Sequence, residues 1–428
     1  MFGQLFIKEC RQTARSLIYW LIVLVLIFDF VTQLGEMDIA REPKKGQENY
    51  GMKMSDDKDV IMETALGGLT EEYLRESYTT YPIGFYKSVT LDKKEDAKIG
   101  KIINEATGIK GRDNLEKLWE EWYTAQEEKM QLQSGQEPGE AAEGMEPAMM
   151  QNLVVKPAEG LTYERFEELM DQADDILGGG SNYAEDYRKK NARVPKTYED
   201  AMTEYHELIE KDRLTGGYAR LFSDYMVIFL GLVPVFLAVT RSLRDKRASM
   251  NELIYVRRCP SAVIIASRYL SMLVMILIPV FALSMVPLTQ CMKHALTEGI
   301  SADPFAFAKY ILGWQMPTIM IALSVGIFLT ELTDTALAVL VQGAWWFVSL
   351  FGGTATLTGG MYGWNLMPRH NTELNWEGYQ EGFARLASNR ILYTSLAVIL
   401  AALTVIIYGQ KRKGRYQLSW KNIGRSKK

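Results

Sequence analysis

Six runs of apolar residues divide the chain, and each is long enough to cross a hydrocarbon core of ~30 Å as a helix. The first run is too long for the hydrophobic region of a signal peptide, and no small-residue cleavage site follows it, so we interpret it as an uncleaved anchor. The pattern predicts an α-helical integral membrane protein with six transmembrane helices. The runs cover residues 16–34, 222–240, 263–288, 307–330, 335–352 and 391–409.

The first 15 residues have the pattern of a helix that lies on the membrane surface. Phe2, Leu5 and Phe6 fall on one helical face, whereas Lys8 and Arg11 fall elsewhere. This distribution predicts a cytoplasmic interfacial helix over residues 1–15. A frayed terminus is the alternative.

Residues 35–218, between the first two runs, are polar and have mostly helical spacing of apolar positions. The third of four expected helices has a start signal at Thr162 and a stop at the glycines that begin with Gly178. Residues 135–150, rich in Gly, Pro, Glu and Ala, predict a mobile loop. We therefore expect a large, mainly helical domain. Its expected helices cover residues 91–108, 112–133, 161–177 and 196–213.

Charge divides the chain in the same way as hydropathy. Residues 35–218 contain 40 Asp and Glu but 24 Lys and Arg, whereas the remainder contains 12 acids and 24 bases. Such asymmetry is typical of a membrane boundary or an anionic partner. None of the three cysteines lies in the polar segment, so its domain must be stable without disulfides.

The basic residues of the short loops predict the orientation in the membrane. The N-terminus, the loop 241–262 and the tail 411–428 together contain 17 Lys and Arg, against 3 in the segments 289–306 and 353–389. The positive-inside rule then places both termini in the cytoplasm and the acidic domain outside it. We expect a multi-pass protein of the plasma membrane. The acidic turn at residues 331–334 is the exception to this trend.

Three prolines lie inside the expected second, third and fourth spans. Each removes a backbone N–H and is expected to kink its helix, with neighbouring helices contacting the freed carbonyl groups. A hinge used in gating is one interpretation, and a static kink is the other, because proline is common in membrane helices. The three positions are Pro234, Pro279 and Pro317.

The sequence lacks the motifs of common catalytic sites. No glycine-rich P-loop is present, since Gly100-Lys101 is preceded by Glu95 where the motif needs its first glycine. His206 and Glu207 begin a zinc-protease pattern, but Glu210 stands where the second histidine is required. We therefore predict no catalytic, cofactor-binding or metal-binding residue in this chain.

The loop 241–262 contains a short amphipathic segment that ends before Pro260. Met250, Leu253 and Ile254 share a helical face. Such a helix can dock into a groove of a soluble partner or rest on lipid head groups, and periodicity favours neither. The residues of the candidate interface are Met250, Glu252, Leu253, Ile254, Tyr255, Arg257 and Arg258.

The order of these elements resembles that of the transmembrane subunits of ABC type-2 transporters. In this chain the matching parts are the interfacial helix, the coupling-helix region 245–257, the pair Arg268-Tyr269 that opens the third span, and the segment 353–389 in a re-entrant position. The resemblance covers the chain outside residues 35–218, that is, the five-helix region 219–410 and the parts that flank it. Many relatives have only a short loop in place of residues 35–218.

The resemblance implies an exporter permease that is driven by a separate ATP-binding subunit. That subunit would bind ATP in the cytoplasm and dock on the coupling helix, and a second permease copy or a related permease would complete the pathway through the lipid. It implies no nucleic acid and no cofactor on this chain. The rival interpretations are a polytopic membrane sensor with an extracytoplasmic ligand-binding domain and, third, a membrane enzyme.

Overall fold

The structure is a computed structural model, and it describes residues 1–35, 37–47, 49–82, 86–134, 153–351, 359–360 and 362–415. The chain divides into two compact units. The first, which we call the membrane unit, comprises Met1–Pro43 and Met202–Lys428. The second, the polar unit, is Lys44–Ala201, which lies inside the domain expected at residues 35–218. The mobile loop expected at residues 135–150 lies outside the described residues.

The polar unit is mostly helical, with two short antiparallel strand pairs. Strand β1 (Met52–Met54) pairs with β4 (Arg193–Pro195) so that Met52 faces Pro195, and β2 (Tyr78–Thr80) pairs with β3 (Lys87–Val89) so that Tyr78 faces Val89. Its helices are α3 (Lys58–Leu74), α4 (Lys93–Thr107), α5 (Arg112–Ser134), α6 (Tyr163–Leu177) and α7 (Glu185–Asn191).

The expected ends of α6 are confirmed. The Thr162 side chain accepts a hydrogen bond from the Arg165 N–H, which caps the helix, and Gly178 ends it at a φ of 91°. Helix α4 has both halves of a capping box, formed by Asp92 and Glu95. Local sequence signals therefore set both ends of α6 and the start of α4.

Helix α3 was not among the expected helices, and its packing explains why. It is buried on several sides, by residues such as Ile61, Leu66 and Leu69, so its sequence has no single apolar face. Gly67 lets the chain cross the helix closely, because a Cβ there would lie 1.7 Å from the Leu153 carbonyl oxygen. The helix depends on tertiary packing that amphipathic periodicity does not reveal.

The membrane unit confirms a helical membrane protein. Within the described residues, four helices are long and apolar enough to span a bilayer, and a bent pair makes a fifth candidate. They are α2 (Leu17–Leu34), α12 (Ser261–Glu298), the stretch Ala306–Thr333 and α16 (Trp376–Arg412), with the pair α9 (Thr215–Leu230) and α10 (Pro234–Arg247). The remaining helices are α1 (Phe2–Ala14), α11 (Asn251–Tyr255) and α15 (Leu337–Phe351), and α8 (Tyr198–Glu210) begins in the polar unit and ends in the membrane unit.

The number of six spans stays a prediction. The fifth expected run, 335–352, is the apolar helix Leu337–Phe351, which at 15 residues is shorter than the spanning helices. Residues 352–358 follow it and lie outside the described residues. The stretch Ala306–Thr333 comprises α13 (Ala306–Tyr310), a π-helical turn (Ile311–Gln315) and α14 (Met316–Thr333).

The three prolines have different surroundings. Pro234 is the first residue of α10 and follows a 40° bend, where Gln342 and Trp346 of α15 donate hydrogen bonds to the carbonyls of Gly231 and Ile228. Pro317 directly follows the π-helical turn, inside the continuous helical stretch Ala306–Thr333. Pro279 lies inside the continuous helix α12. A neighbouring helix thus satisfies carbonyls at the Pro234 bend, whereas a hinge role stays a prediction.

Helix α14 forms the centre of the membrane unit. Ile319, Ile321 and Leu323 are fully buried, and Gly326 allows a close approach to α10, since a Cβ there would lie 2.5 Å from that of Ala238. Helix α2, by contrast, exposes an apolar stripe at intervals of three to four residues. The stripe consists of Trp20, Leu24, Phe28 and Val31. In a bilayer this face would meet acyl chains.

Candidate functional site

The candidate coupling helix is the five-residue helix α11. Met250 and Leu253 are 43% and 58% exposed, whereas Ile254 is half-buried. Tyr255 is also half-buried, and its ring packs edge-on against Tyr408 at 5.6 Å. Burial raises the pKa of the Tyr255 phenol to about 12, so it stays neutral. Glu252, Arg257 and Arg258 are exposed. The apolar face available to a partner is therefore Met250 with Leu253, and the interface itself stays a prediction.

One side chain of the last helix, Arg412, holds the backbone of this loop. Its guanidinium donates hydrogen bonds to the carbonyls of Tyr255 at 2.9 Å, Arg257 at 2.7 Å and Cys259 at 2.6 Å. The three acceptors are the carbonyls of every second residue along the loop, and their spacing matches the rigid fork of an arginine. The segment after α11 is thus fixed to the end of α16.

A buried ion-pair network holds the beginning of the same loop. Arg241 of α10 makes a bidentate contact with Glu9 of α1, with N–O distances of 2.5 and 2.6 Å. Asp245 accepts from Arg241 at 3.3 Å and also from Arg268 of α12. Glu9, Arg241 and Arg268 are each less than a tenth exposed. The network, which we call the loop-end cluster, joins the N-terminal helix, the loop and the third apolar run.

The acidic turn at residues 331–334 is part of a second ion-pair group beside the first. Lys411 lies 3.7 Å from Glu331 and 2.8 Å from Asp334, and Lys246 lies 3.5 Å from Asp334. These lysines belong to the basic tail and the basic loop. The turn departs from the charge trend because its carboxylates pair with those bases.

Elsewhere in the membrane unit, non-helical backbone of the 353–389 segment is buried in the protein. Residues 359–360 and 362–375 are not helical, whereas α16 begins at Trp376. Leu366 and Met367 are buried, and side chains of other helices bind the carbonyls of this stretch. Thr318 donates to Leu366 at 3.0 Å, and the Trp314 indole N–H donates to Pro368 at 3.2 Å. Buried irregular backbone requires such partners.

A buried acid and a buried base of α9, Asp224 and Arg220, hold this stretch. Asp224 is fully buried and accepts the backbone N–H groups of His370 and Asn371, each at 2.7 Å. Arg220, also fully buried, pairs with Asp212 at 2.7 Å and donates to the Glu373 carbonyl at 2.9 Å. Sequence reasoning missed these residues. The available signal was an Arg and an Asp at the start of an apolar run.

A cavity of about 720 Å³ lies beside this stretch, within the membrane unit. Its wall includes the π-helical turn Ile311–Gln315, a feature often found at functional sites. Aromatic and basic side chains line it, among them Trp314, Trp376 and Arg390. This volume falls in the range of small-molecule sites.

The polar unit contains a cavity of its own, of about 500 Å³. Glu72 lies in its wall and accepts hydrogen bonds from the Tyr183 hydroxyl at 2.5 Å and the Thr79 N–H at 3.0 Å. Burial raises the pKa of the Glu72 carboxyl. Arg75 and Arg193 contribute positive charge to the same wall. The cavity could hold a small polar ligand.

Among the described residues, no cluster of three or more His, Cys, Asp or Glu side chains is arranged to hold a metal ion. No protein-family model, curated protein or solved structure matches this chain.

Proposed function

We propose that this chain is the membrane-spanning permease subunit of an ABC exporter, driven by a separate ATP-binding subunit. In this proposal the chain has six spans, both termini and α11 lie in the cytoplasm, and the polar unit is extracytoplasmic. A second permease copy or a related permease completes the pathway. The proposal rests on the order of the elements and on the way the loop 241–262 is held.

The observation that carries the proposal is an exposed apolar pair on a loop that is fixed at both ends. Met250 and Leu253 face outward, while the loop-end cluster fixes the loop before α11 and Arg412 fixes it afterwards. A partner that moves α11 would therefore move α10, α12 and α16 as well. Coupling between nucleotide binding and a transport pathway needs two states joined by such contacts.

The first test removes the exposed apolar pair. Replacing Met250 and Leu253 with Ala, or Glu252 with Lys, should weaken the binding of the P-loop ATPase subunit about thirtyfold. Less of that subunit should then co-purify from native membranes. The reason is that truncating a buried apolar anchor costs ~2 kcal/mol or more. The measurement is quantitative mass spectrometry of the affinity-purified complex.

Leu296→Ala is the matched control for this test, because Leu296 is an 80% exposed apolar residue at the other end of α12. It should leave the complex intact. Normal recovery of the ATPase subunit with both loop variants would refute the coupling role of α11. A role limited to resting on lipid head groups predicts that result.

The proposed orientation is tested by two engineered cysteines of equal exposure, in a background that lacks the native cysteines. Val256 is 79% exposed beside α11, and Leu296 is 80% exposed near the opposite end of α12. A membrane-impermeant maleimide should label Leu296→Cys in intact cells and Val256→Cys only after permeabilisation. Native Cys291 cannot serve, because it is fully buried. Labelling of Val256→Cys in intact cells would show that the orientation is the opposite of the proposed one.

A polytopic sensor is the second candidate, and the cavity of the polar unit favours it. A ligand bound near Glu72, Arg75 and Arg193 would act as the signal, and the loop 241–262 would pass it on. The two candidates differ in their dependence on an ATPase. If no ATPase subunit co-purifies with the unmodified protein, the sensor becomes the better account.

A further inference from the structure

The 720 Å³ cavity of the membrane unit combines aromatic walls with positive charge. The rings of Tyr310, Trp314, Trp376, Tyr379 and Phe383 line it. Gly313 faces it from the π-helical turn, and a Cβ added there would meet no atom within 4 Å. The cavity is therefore wide beside this glycine.

Arg390 provides a positive charge that its own contacts do not neutralise. Its guanidinium is 6% exposed and donates to the Trp314 carbonyl at 2.9 Å, the Thr318 hydroxyl at 2.7 Å, the Leu366 carbonyl and the Asn389 side-chain oxygen. All these acceptors are neutral. Within the described part of the chain, no carboxylate lies in ion-pairing distance of Arg390. A buried charge of this kind favours an anion nearby.

The rest of the lining adds to the excess of positive charge. Lys211 and Arg213 are exposed in the wall, and neither makes an ion pair with a described residue. The two acids in the wall are already paired: Asp212 with Arg220 at 2.7 Å, and Asp303 with Lys309 at 2.5 Å. An incoming anion would therefore meet Lys211 and Arg213, which have no described carboxylate within ion-pair distance, together with the positive charge of Arg390.

One side of the cavity reaches the apolar surface of the unit. Phe383 and Ile391 of α16 line it and are 51% and 67% exposed. Leu392 and Val398, further along the same helix, are also exposed. In a membrane, an apolar chain that leaves the cavity on this side would pass directly among lipid acyl chains.

We propose that the cavity binds an anionic amphiphile, with its head group held by Lys211 and Arg213 and attracted by the charge of Arg390, and its apolar chain along Phe383 and Ile391. The combination of unneutralised cations, aromatic walls and an apolar opening matches the two halves of such a molecule. As the cargo of the transporter, this substrate class rests on the proposed function.

The test uses the full-length protein in a neutral detergent and native mass spectrometry. Phosphatidylglycerol should be retained at least tenfold more strongly than phosphatidylcholine, whose head group has no net charge. Glycerol 3-phosphate, which has the anionic group without the chains, should neither bind nor compete. Gly313→Leu, which fills the cavity, should abolish retention. Lys211→Gln with Arg213→Gln should weaken it three- to tenfold.

Two matched variants control for side effects. Gly343→Leu adds the same bulk to α15 at a glycine whose Cβ would also meet no atom within 4 Å, and Lys293→Gln with Arg385→Gln removes two charges outside the cavity wall. Both should retain phosphatidylglycerol normally. Equal retention of the two lipids, or full retention by Gly313→Leu, would overturn the proposal. Competition by glycerol 3-phosphate would also overturn it, because the ligand would then be a small anion and not an amphiphile.

This result is independent of the ATPase question. Loss of lipid selectivity with an intact ATPase complex would refute the substrate class alone. Selective lipid binding without any ATPase subunit would refute the permease proposal alone.

Discussion

Replacing Arg220 with Met should lower the free energy of unfolding by about 4–5 kcal/mol, the largest effect we expect for a single substitution. The side chain is fully buried, and so is its partner Asp212, whose carboxylate would be left in the interior without a cation. No second basic side chain contacts Asp212 within the described residues. The carbonyl of Glu373 would also lose its donor, at a further cost for a buried acceptor.

The measurement for Arg220 is reversible unfolding by SDS in mixed micelles. Arg213→Met, at an exposed position nearby, should stay within ~0.5 kcal/mol of the unmodified protein. Arg220→Lys should give an intermediate loss, because an ammonium group cannot make the bidentate contact. A loss for Arg220→Met no larger than that for Arg213→Met would show that the Asp212 pair does not hold this end of the unit together.

Replacing Arg241 with Met should lower the free energy of unfolding by about 3 kcal/mol. This substitution leaves the buried Glu9 carboxylate without its bidentate partner. We expect a loss at the lower end of the usual range for breaking a buried ion pair, because Arg268 remains 3.8 Å from Glu9 and also contacts Asp245. The same SDS titration measures the effect.

Arg244→Met is the control for Arg241, since Arg244 is exposed on the same helix. It should change stability by less than ~0.5 kcal/mol. Combining Glu9→Leu with Arg241→Met should recover most of the lost stability, because an apolar pair then replaces the ion pair and no buried charge is left without a partner. If the double variant is no more stable than Arg241→Met, the contact between Glu9 and Arg241 is not the cause.

The helices of the membrane unit could be read from the sequence because a spanning helix needs a long apolar run, which is a local signal. The runs 16–34 and 263–288 correspond to Leu17–Leu34 and to part of Ser261–Glu298. The bent pair was less evident, since its bend involves carbonyls that α15 binds more than a hundred residues further along the chain.

The buried ion pairs could not be read in this way, because their partners are distant in sequence. Glu9 and Arg241 are 232 residues apart, and Arg220 donates to a carbonyl 153 residues away. The sequence pattern predicted that Glu9 lies on an interfacial helix, but it did not indicate that Glu9 is buried between α1 and other helices. The acidic turn with Glu331 contradicted the charge trend until its pairing with Lys411 was visible.

The candidate interface was found in part. Periodicity placed Met250, Leu253 and Ile254 on one face, whereas the structure exposes the first two and half-buries Ile254. Arg412, which fixes the loop, could not be identified among eight bases of the tail, since its acceptors are backbone carbonyls and carry no sequence signal.

Photocrosslinking from α11 tests the central claim most directly. A photoreactive amino acid at Leu253, the most exposed position of the apolar pair, should capture one protein in native membranes, and its peptides should include a P-loop sequence. The same amino acid at Leu296 should not capture that protein. Capture of a P-loop ATPase from position 253 alone is the result that the permease account predicts. Crosslinks from position 253 to lipid only, with no ATPase recovered, would contradict it.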